Sequence, residues 1–254
     1  MLKMVKQAIK RVVSGFGYSV ARMEQASGVE FPPDFDRADI EIIRRVAPFT
    51  MTTNERVLAL CESVRYVVKH SVPGDIVECG VWKGGSMMAA AHVLMALGEE
   101  RRLWLFDTFE GMPPPTTVDV NYVGQPAVEL MERSDKNTAW ILGTLEEVRH
   151  NLSLTGYPDH HVSYIKGKVE DTIPENAPEH IALLRLDTDW YESTYHELQH
   201  LFPRLSVGGV LIVDDYGHWA GARKAVDQYM EQNKLRLLLQ RIDYTGRIAV
   251  KIES

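Results

Sequence analysis

The sequence predicts an α/β fold: a mostly parallel sheet with helices on both faces. Short apolar runs recur without two-residue alternation, as expected of strands buried on both sides. Stretches with helical spacing separate them. Acidic residues stand where these runs end, at the edge where open parallel sheets bind ligands.

The elements follow in order. Gly28 to Asp39, with Phe31-Pro32-Pro33-Asp34-Phe35, reads as a loop, and Ile40 to Val46 as a short helix. Thr52-Thr53-Asn54-Glu55 fits a capping box before Val57, Leu58, Cys61, Val64, Val67 and Val68 at helical spacing. Ile76 to Cys79 is the first strand and Met87 to Leu97 a helix. Leu103 to Phe106 is the second strand, ending at Asp107. Phe109 to Gln125, rich in Pro, Gly and Thr, is a long loop. Helices are expected over Pro126 to Met131 and Thr144 to Leu154.

Val162 to Ile165 is the third strand, followed by Gly167 and Glu170-Asp171. His160-His161 precede it and are expected to point apart at the surface. Ile181 to Leu186 is the fourth strand, ending at Asp187, with a helix over Ser193 to Phe202. Gly209 to Val213 is the fifth, ending at Asp214-Asp215, with a helix over Ala220 to Asn233. Leu235 to Ile242 and Arg247 to Ile252 read as a closing pair of strands around Tyr244-Thr245-Gly246.

Composition excludes several classes. The chain has 254 residues, 45% hydrophobic and 25% charged, which suits a soluble globular protein with a full core. A net charge of −7 argues against nucleic acid as the main partner. Cys61 and Cys79, in apolar contexts, read as buried reduced thiols of a cytoplasmic protein. No apolar run approaches the roughly 18 residues of a transmembrane span. Met1 to Val20 alternates Lys3, Lys6, Lys10 and Arg11 with Leu2, Val5, Ile9, Val12 and Val13. That pattern reads as an amphipathic helix for packing or oligomer formation, with membrane-surface contact as the lesser alternative.

The chemistry concentrates at the strand ends. Asp75 to Ser86 is a strand–turn–helix without the dinucleotide pattern Gly-x-Gly-x-x-Gly. Glu78 suits a ligand with an amino group, and Ser86 at the helix start can hold a carboxylate. Asp107 stands where nucleoside-binding α/β folds place a carboxylate on ribose hydroxyls. An amino acid at one end and a ribose at the other describes S-adenosylmethionine and disfavours NAD.

Glu78, Asp107, Asp187, Asp214 and Asp215 would repel one another in a cleft unless a cation sits among them. A single acid after a strand can be a helix cap, but five at one edge exceed that role. Asp187, Asp214 and Asp215 form an oxygen-only set suited to Mg²⁺, with Mn²⁺ as a substitute. No His-x-x-x-His or Cys-x-x-Cys spacing supports zinc. His218, close after the acidic pair, is a candidate base or substrate contact.

Four ordered motifs carry a family resemblance. They are Glu78-Cys79-Gly80-Val81-Trp82-Lys83-Gly84-Gly85-Ser86, Phe106-Asp107-Thr108-Phe109-Glu110-Gly111-Met112-Pro113, Leu186-Asp187-Thr188-Asp189-Trp190-Tyr191-Glu192-Ser193-Thr194 and Val213-Asp214-Asp215-Tyr216-Gly217. From about Phe31 to the C-terminus the chain resembles the macrocin O-methyltransferase (TylF-type) family, which uses S-adenosylmethionine and Mg²⁺ on sugar hydroxyls of natural products. The resemblance implies a class I methyltransferase (Rossmann-like) sheet, order 3-2-1-4-5-7-6, with the last strand antiparallel. It also implies an N-terminal oligomer or lid segment over 1–48, a methyltransferase domain over 49–254, and a homodimer or higher homo-oligomer.

Position by position, the resemblance implies that Glu78, Gly80, Trp82 and Ser86 hold the methionine end of the cofactor. Met51 and Thr52 close over it. Asp107 takes the ribose, lined by Thr108 and Phe109. Gly167, Val169, Glu170 and Asp171 flank the adenine, and Asp187, Asp214 and Asp215 hold the metal. Asp187, or secondarily Asp189, would take the proton from the acceptor hydroxyl. The loops Val29 to Asp39 and Gly111 to Tyr122 are expected to cover that acceptor. Trp82, Tyr122, Trp140, Trp190, Tyr191, Tyr216 and Trp219 are candidate stacking faces for a sugar, some of them core. A catechol-like phenol is the alternative acceptor, since it too chelates metal through vicinal oxygens. A non-catalytic binding subunit on the same fold is the alternative from another class.

Overall fold

The computed structural model describes residues 31–133 and 143–253. The amphipathic pattern of Met1 to Val20, and Trp140, lie outside them. From Arg37 onward the chain forms one compact unit.

Its elements are α1 (Arg37–Val46), α2 (Asn54–Lys69), β1 (Asp75–Cys79), α3 (Gly85–Leu97), β2 (Leu103–Asp107), α4 (Ala127–Arg133), α5 (Leu145–Ser153) and β3 (Val162–Lys166). Then follow α6 (Val169–Thr172), β4 (Ile181–Leu186), α7 (Tyr191–Leu201), β5 (Leu205–Val213), α8 (Ala220–Gln232), β6 (Gln240–Arg241) and β7 (Arg247–Val250). The strands form one sheet in the order β3-β2-β1-β4-β5-β7-β6, with β1 to β5 parallel and β7 antiparallel to β5. This is the order the resemblance implies.

The centre of the sheet is buried on both sides, which is why its strands read as unbroken apolar runs: all six residues of β4 are buried. On one face, Val77, Cys79, Leu184, Leu186, Leu211 and Val213 pack with Leu198, Leu201, Val226 and Tyr229 of α7 and α8. Side chains alternate across a strand. Glu78, Arg185 and Ile212 therefore point to the opposite face, on which α2 packs against β4 and β5. That alternation places two charged residues side by side in the interior, because Glu78 pairs with Arg185 in the β1–β4 register.

Four expectations are corrected. The first helix starts at Arg37, inside the expected loop. The cap of α2 is Thr53, whose side chain accepts from Arg56 N, so the capping box read from Thr52 to Glu55 does not form. The expected strand from Leu235 shrinks to Gln240–Arg241, because β7 offers only Arg247 and Ile248 for pairing. Leu235, Leu237 and Leu239 alternate inward and pack on the core without a ladder. His160 and His161 precede β3 as expected but fall in a 3-10 turn, where their rings lie 4.3 Å apart instead of pointing apart.

Candidate functional site

One cavity of about 330 Å³ opens at the carboxyl edge of the sheet, within the ~300–1,000 Å³ usual for small-molecule sites. At one end is the β1–α3 turn. Gly80 (φ +82°) and Gly84 (φ +88°) take left-handed backbone there, as does Trp82 (φ +48°). A Cβ on Gly80 would stand 2.0 Å from the Asp187 carbonyl oxygen, so only glycine lets this turn lie against the end of β4. A Cβ on Gly85 would stand 2.5 Å from the Phe49 carbonyl oxygen, so glycine there lets the 49–52 segment come over the turn.

Met51, Thr52, Gly80, Trp82, Ser86, Asp107, Thr108, Gly167, Val169, Glu170, Asp187, Asp214 and Asp215 all line this cavity. Glu78, Phe109 and Asp171 do not. Glu78 is turned inward onto Arg185, Phe109 is buried, and Asp171 is exposed on α6.

Asp107 braces the turn. One carboxylate oxygen accepts from Val81 N (2.6 Å) and Trp82 N (3.1 Å), the other from Phe109 N (2.7 Å) and Thr108 Oγ1 (3.4 Å). Nearby, Trp82 lines the cavity, and its indole N–H is buried with no partner among the described residues.

The acids gather at the other end. One carboxylate oxygen each of Asp187, Asp214 and Asp215 lie within 4.8 Å of one another. Asp189, in left-handed backbone (φ +67°), joins them on the cavity wall. Two arginines thread the group. Arg185 Nη1 donates to Glu78 (2.6 Å) and Asp187 (2.7 Å), and its Nη2 to Asp214 (2.5 Å). Arg56, from α2, pairs with the other Asp214 oxygen and lies 3.0 Å from Asp243. Four carboxyl groups, Glu78, Asp187, Asp214 and Asp243, thus share two guanidiniums, and Asp189 and Asp215 add two more acids beside them.

The shortage shows in their proton affinities. Burial, with Asp187 adding to it, pushes Glu78 up to about 8 despite Arg185. Burial and then the neighbouring carboxylates raise Asp215, and burial raises Asp214 against the pull of Arg185. Asp243 goes the other way: burial would raise it, but the Gly246 and Thr245 N–H groups, the Thr53 hydroxyl and Arg56 hold it down.

A divalent cation fits this donor set. Asp215 Oδ2 is buried with no partner among the described residues, every donor atom is a hard carboxylate oxygen, and positive charge is what the cluster lacks. Asp187 and Asp215 are the better placed ligands, since both Asp214 oxygens already accept from arginine.

Sequence reasoning missed Arg56, Gly143, Tyr244 and Thr245, all on the cavity wall. Arg56 carries no local signal, because its carboxylate partners Asp214 and Asp243 lie more than 150 residues away in the chain. The aromatic candidates now separate. Trp190 and Trp219 are buried in a cluster with Ala127 and Ala222. Tyr191 stacks on Tyr195, and Tyr216 hydrogen-bonds Asp227. Tyr122 remains open to solvent.

Comparison with known proteins agrees with this architecture. The Macrocin-O-methyltransferase (TylF) family matches residues 18–250. The 8-demethyl-8-(2,3-dimethoxy-alpha-L-rhamnosyl)-tetracenomycin-C 4'-O-methyltransferase of Streptomyces olivaceus is 39% identical over 78% of this chain and 73% of its own length. Mycinamicin III 3''-O-methyltransferase of Micromonospora griseorubida is 33% identical over 94% of this chain and 92% of its own. The solved O-methyltransferase NovP superposes with a TM-score of 0.71 at 33% identity, covering 81% of this chain and 83% of that one.

Proposed function

Starting from the fact that the chain belongs to the macrocin O-methyltransferase (TylF) family, we propose that it transfers a methyl group from S-adenosylmethionine to a hydroxyl of a sugar on a natural product, with Mg²⁺ as the metal. The observation that carries this reading is one cavity with the glycine turn at one end and the cluster Asp187, Asp214 and Asp215 at the other. The relatives named for methylating a tetracenomycin rhamnoside and mycinamicin III support the sugar as acceptor.

S-adenosylmethionine supplies an electrophilic methyl group, and the divalent cation lowers the pKa of the acceptor hydroxyl. The protein's part is positioning and proton transfer. Trp82 and Ser86 line the end that takes the amino-acid part of the donor, and Met51 and Thr52 close that side. Asp187 and Asp215 would hold the metal, while Arg185 orients Asp187. The acceptor proton passes to a carboxylate of the same cluster. Asp189 is favoured over Asp187 in that role: it lines the cavity and its carboxyl is raised by burial and then by Asp187, whereas Asp187 is tied to Arg185. The amphipathic pattern of the N-terminal segment supports an oligomer role for residues 1–48.

Calorimetry with S-adenosylhomocysteine and Mn²⁺, beside an assay of labelled methyl transfer, tests the reading. Asp187→Ala and Asp215→Ala should lose Mn²⁺ binding and methyl transfer while keeping S-adenosylhomocysteine. Full transfer by either variant in EDTA would remove the metal from the mechanism.

A further inference from the structure

Three rings from separate parts of the chain meet beside the acidic end of the cavity. Tyr122 lies 5.3 Å from His218 and 6.1 Å from Tyr244, centroid to centroid, and His218 lies 6.0 Å from Tyr244. Tyr244 stands edge to face with both Tyr122 (70°) and His218 (74°), and Tyr122 and His218 are tilted at 58°, so the rings form a corner with open faces and not a closed stack. His218 and Tyr244 line the cavity, while Tyr122 stands one ring further out, with 64% of its surface exposed. Tyr244 is 52% exposed and the neighbouring Val123 61%.

The corner is built, not left loose. Asn121 Oδ1 accepts from Val123 N and Gln125 N, closing the turn that carries Tyr122. Asn121 bridges to Trp219, and Ala220 N donates to Val120 O, which fixes the turn against the start of α8. His218 Nδ1 lies 2.9 Å from the Tyr244 hydroxyl, locking two of the rings together. Exposed rings held rigid at a cavity mouth mark a ligand surface, because they offer apolar area at little ordering cost.

The wall beside His218 carries Asp215, Asp189 and Asp187 together with Arg56, so acids and a guanidinium offset each other there and neither charge sign is selected. The rings themselves offer flat apolar faces. On the sugar-methylation reading, the acceptor oxygens sit at the acids, and only a group attached outward from the sugar reaches Tyr122.

We propose that Tyr122, His218 and Tyr244 form a subsite for a planar, uncharged aglycone, at the mouth of the cavity that takes the sugar and the methyl donor. The inference rests on the sugar-methylation reading, and binding measurements separate the two. With S-adenosylhomocysteine present, 4-methylumbelliferyl α-L-rhamnoside and methyl α-L-rhamnoside are titrated against the wild type, Tyr122→Ala and Tyr244→Ala, by calorimetry and ligand-observed NMR. The aryl glycoside should bind roughly tenfold more tightly than the methyl glycoside. Tyr122→Ala should remove most of that gain and leave methyl glycoside and S-adenosylhomocysteine affinities unchanged.

Equal affinity of the two glycosides, no detectable aryl glycoside binding, or a gain untouched by both substitutions would overturn the subsite. A Tyr122-dependent gain with no methyl transfer to any glycoside would sustain the subsite and defeat the sugar-methylation reading instead.

Discussion

Glu78 and Arg185 face each other across β1 and β4, with the guanidinium 2.6 Å from the Glu78 carboxylate in a fully buried site. The same nitrogen reaches Asp187, and the other nitrogen reaches Asp214. Arg185 is thus the hub that ties the base of the glycine turn to the acidic cluster. Glu78, expected to meet an amino group of the ligand, instead supports the site from behind. Its second oxygen, Oε2, is buried with no partner among the described residues, so the pair is only half satisfied.

That imbalance predicts a pH dependence. The folded-state pKa of Glu78, about 8, lies above its ordinary 4.5. The folded state therefore binds more protons than the unfolded state between these values, and stability falls as pH rises toward 8. For the metal-free protein, Glu78 alone should remove on the order of 2 kcal/mol between pH 6 and 8.5. Thermal denaturation in EDTA across that range measures it, and Glu78→Gln should flatten the slope. An unchanged slope in the variant would place the effect elsewhere in the cluster.

Asp107 should affect both folding and ligand binding. Removing its carboxylate leaves the N–H groups of Val81, Trp82 and Phe109 without their acceptor. Asp107→Ala is expected to cost about 1–3 kcal/mol of stability. It should also weaken S-adenosylhomocysteine, measured by denaturant unfolding and calorimetry in parallel. A loss of affinity with stability intact would mean that the carboxylate serves the ribose alone.

Gly80→Ala should be among the most damaging small changes in the chain. Its Cβ would meet the Asp187 carbonyl oxygen at 2.0 Å in left-handed backbone, separating β1 from the acidic cluster. A loss above about 3 kcal/mol, or no folded protein, is expected. Gly98→Ala is the control: its φ is +68° but nothing lies within 4 Å, so only the backbone cost of about 1–2 kcal/mol applies. Equal effects at the two glycines would show that contact with Asp187 O is unimportant.

Much of the site was legible because parallel sheets place functional residues at strand ends, and strand ends are local features. Asp107, Asp187, Asp214 and Asp215 each follow an apolar run, and all four reach the cavity. Glu78 shows the limit. In sequence it also looks like a strand-end acid, yet it lies inside β1, where its direction depends on which residue β4 sets beside it. Phe109 and Asp171 share motifs with wall residues but point elsewhere, since a motif specifies a turn and not each side chain in it. Tyr122 and Tyr244 are separated by more than a hundred residues, and nothing in either neighbourhood announces the other.

By itself, then, the sequence determined the strand and helix periods, the glycine turn, the acids at the sheet edge and the family. These rest on residues near one another in the chain, where spacing alone encodes direction. Tertiary structure decided that Arg185 pairs with Glu78, that Arg56 shares Asp214, and that three distant rings form one corner. Those depend on strand register and on helices crossing the sheet, where a shift of one residue reverses the face a side chain occupies.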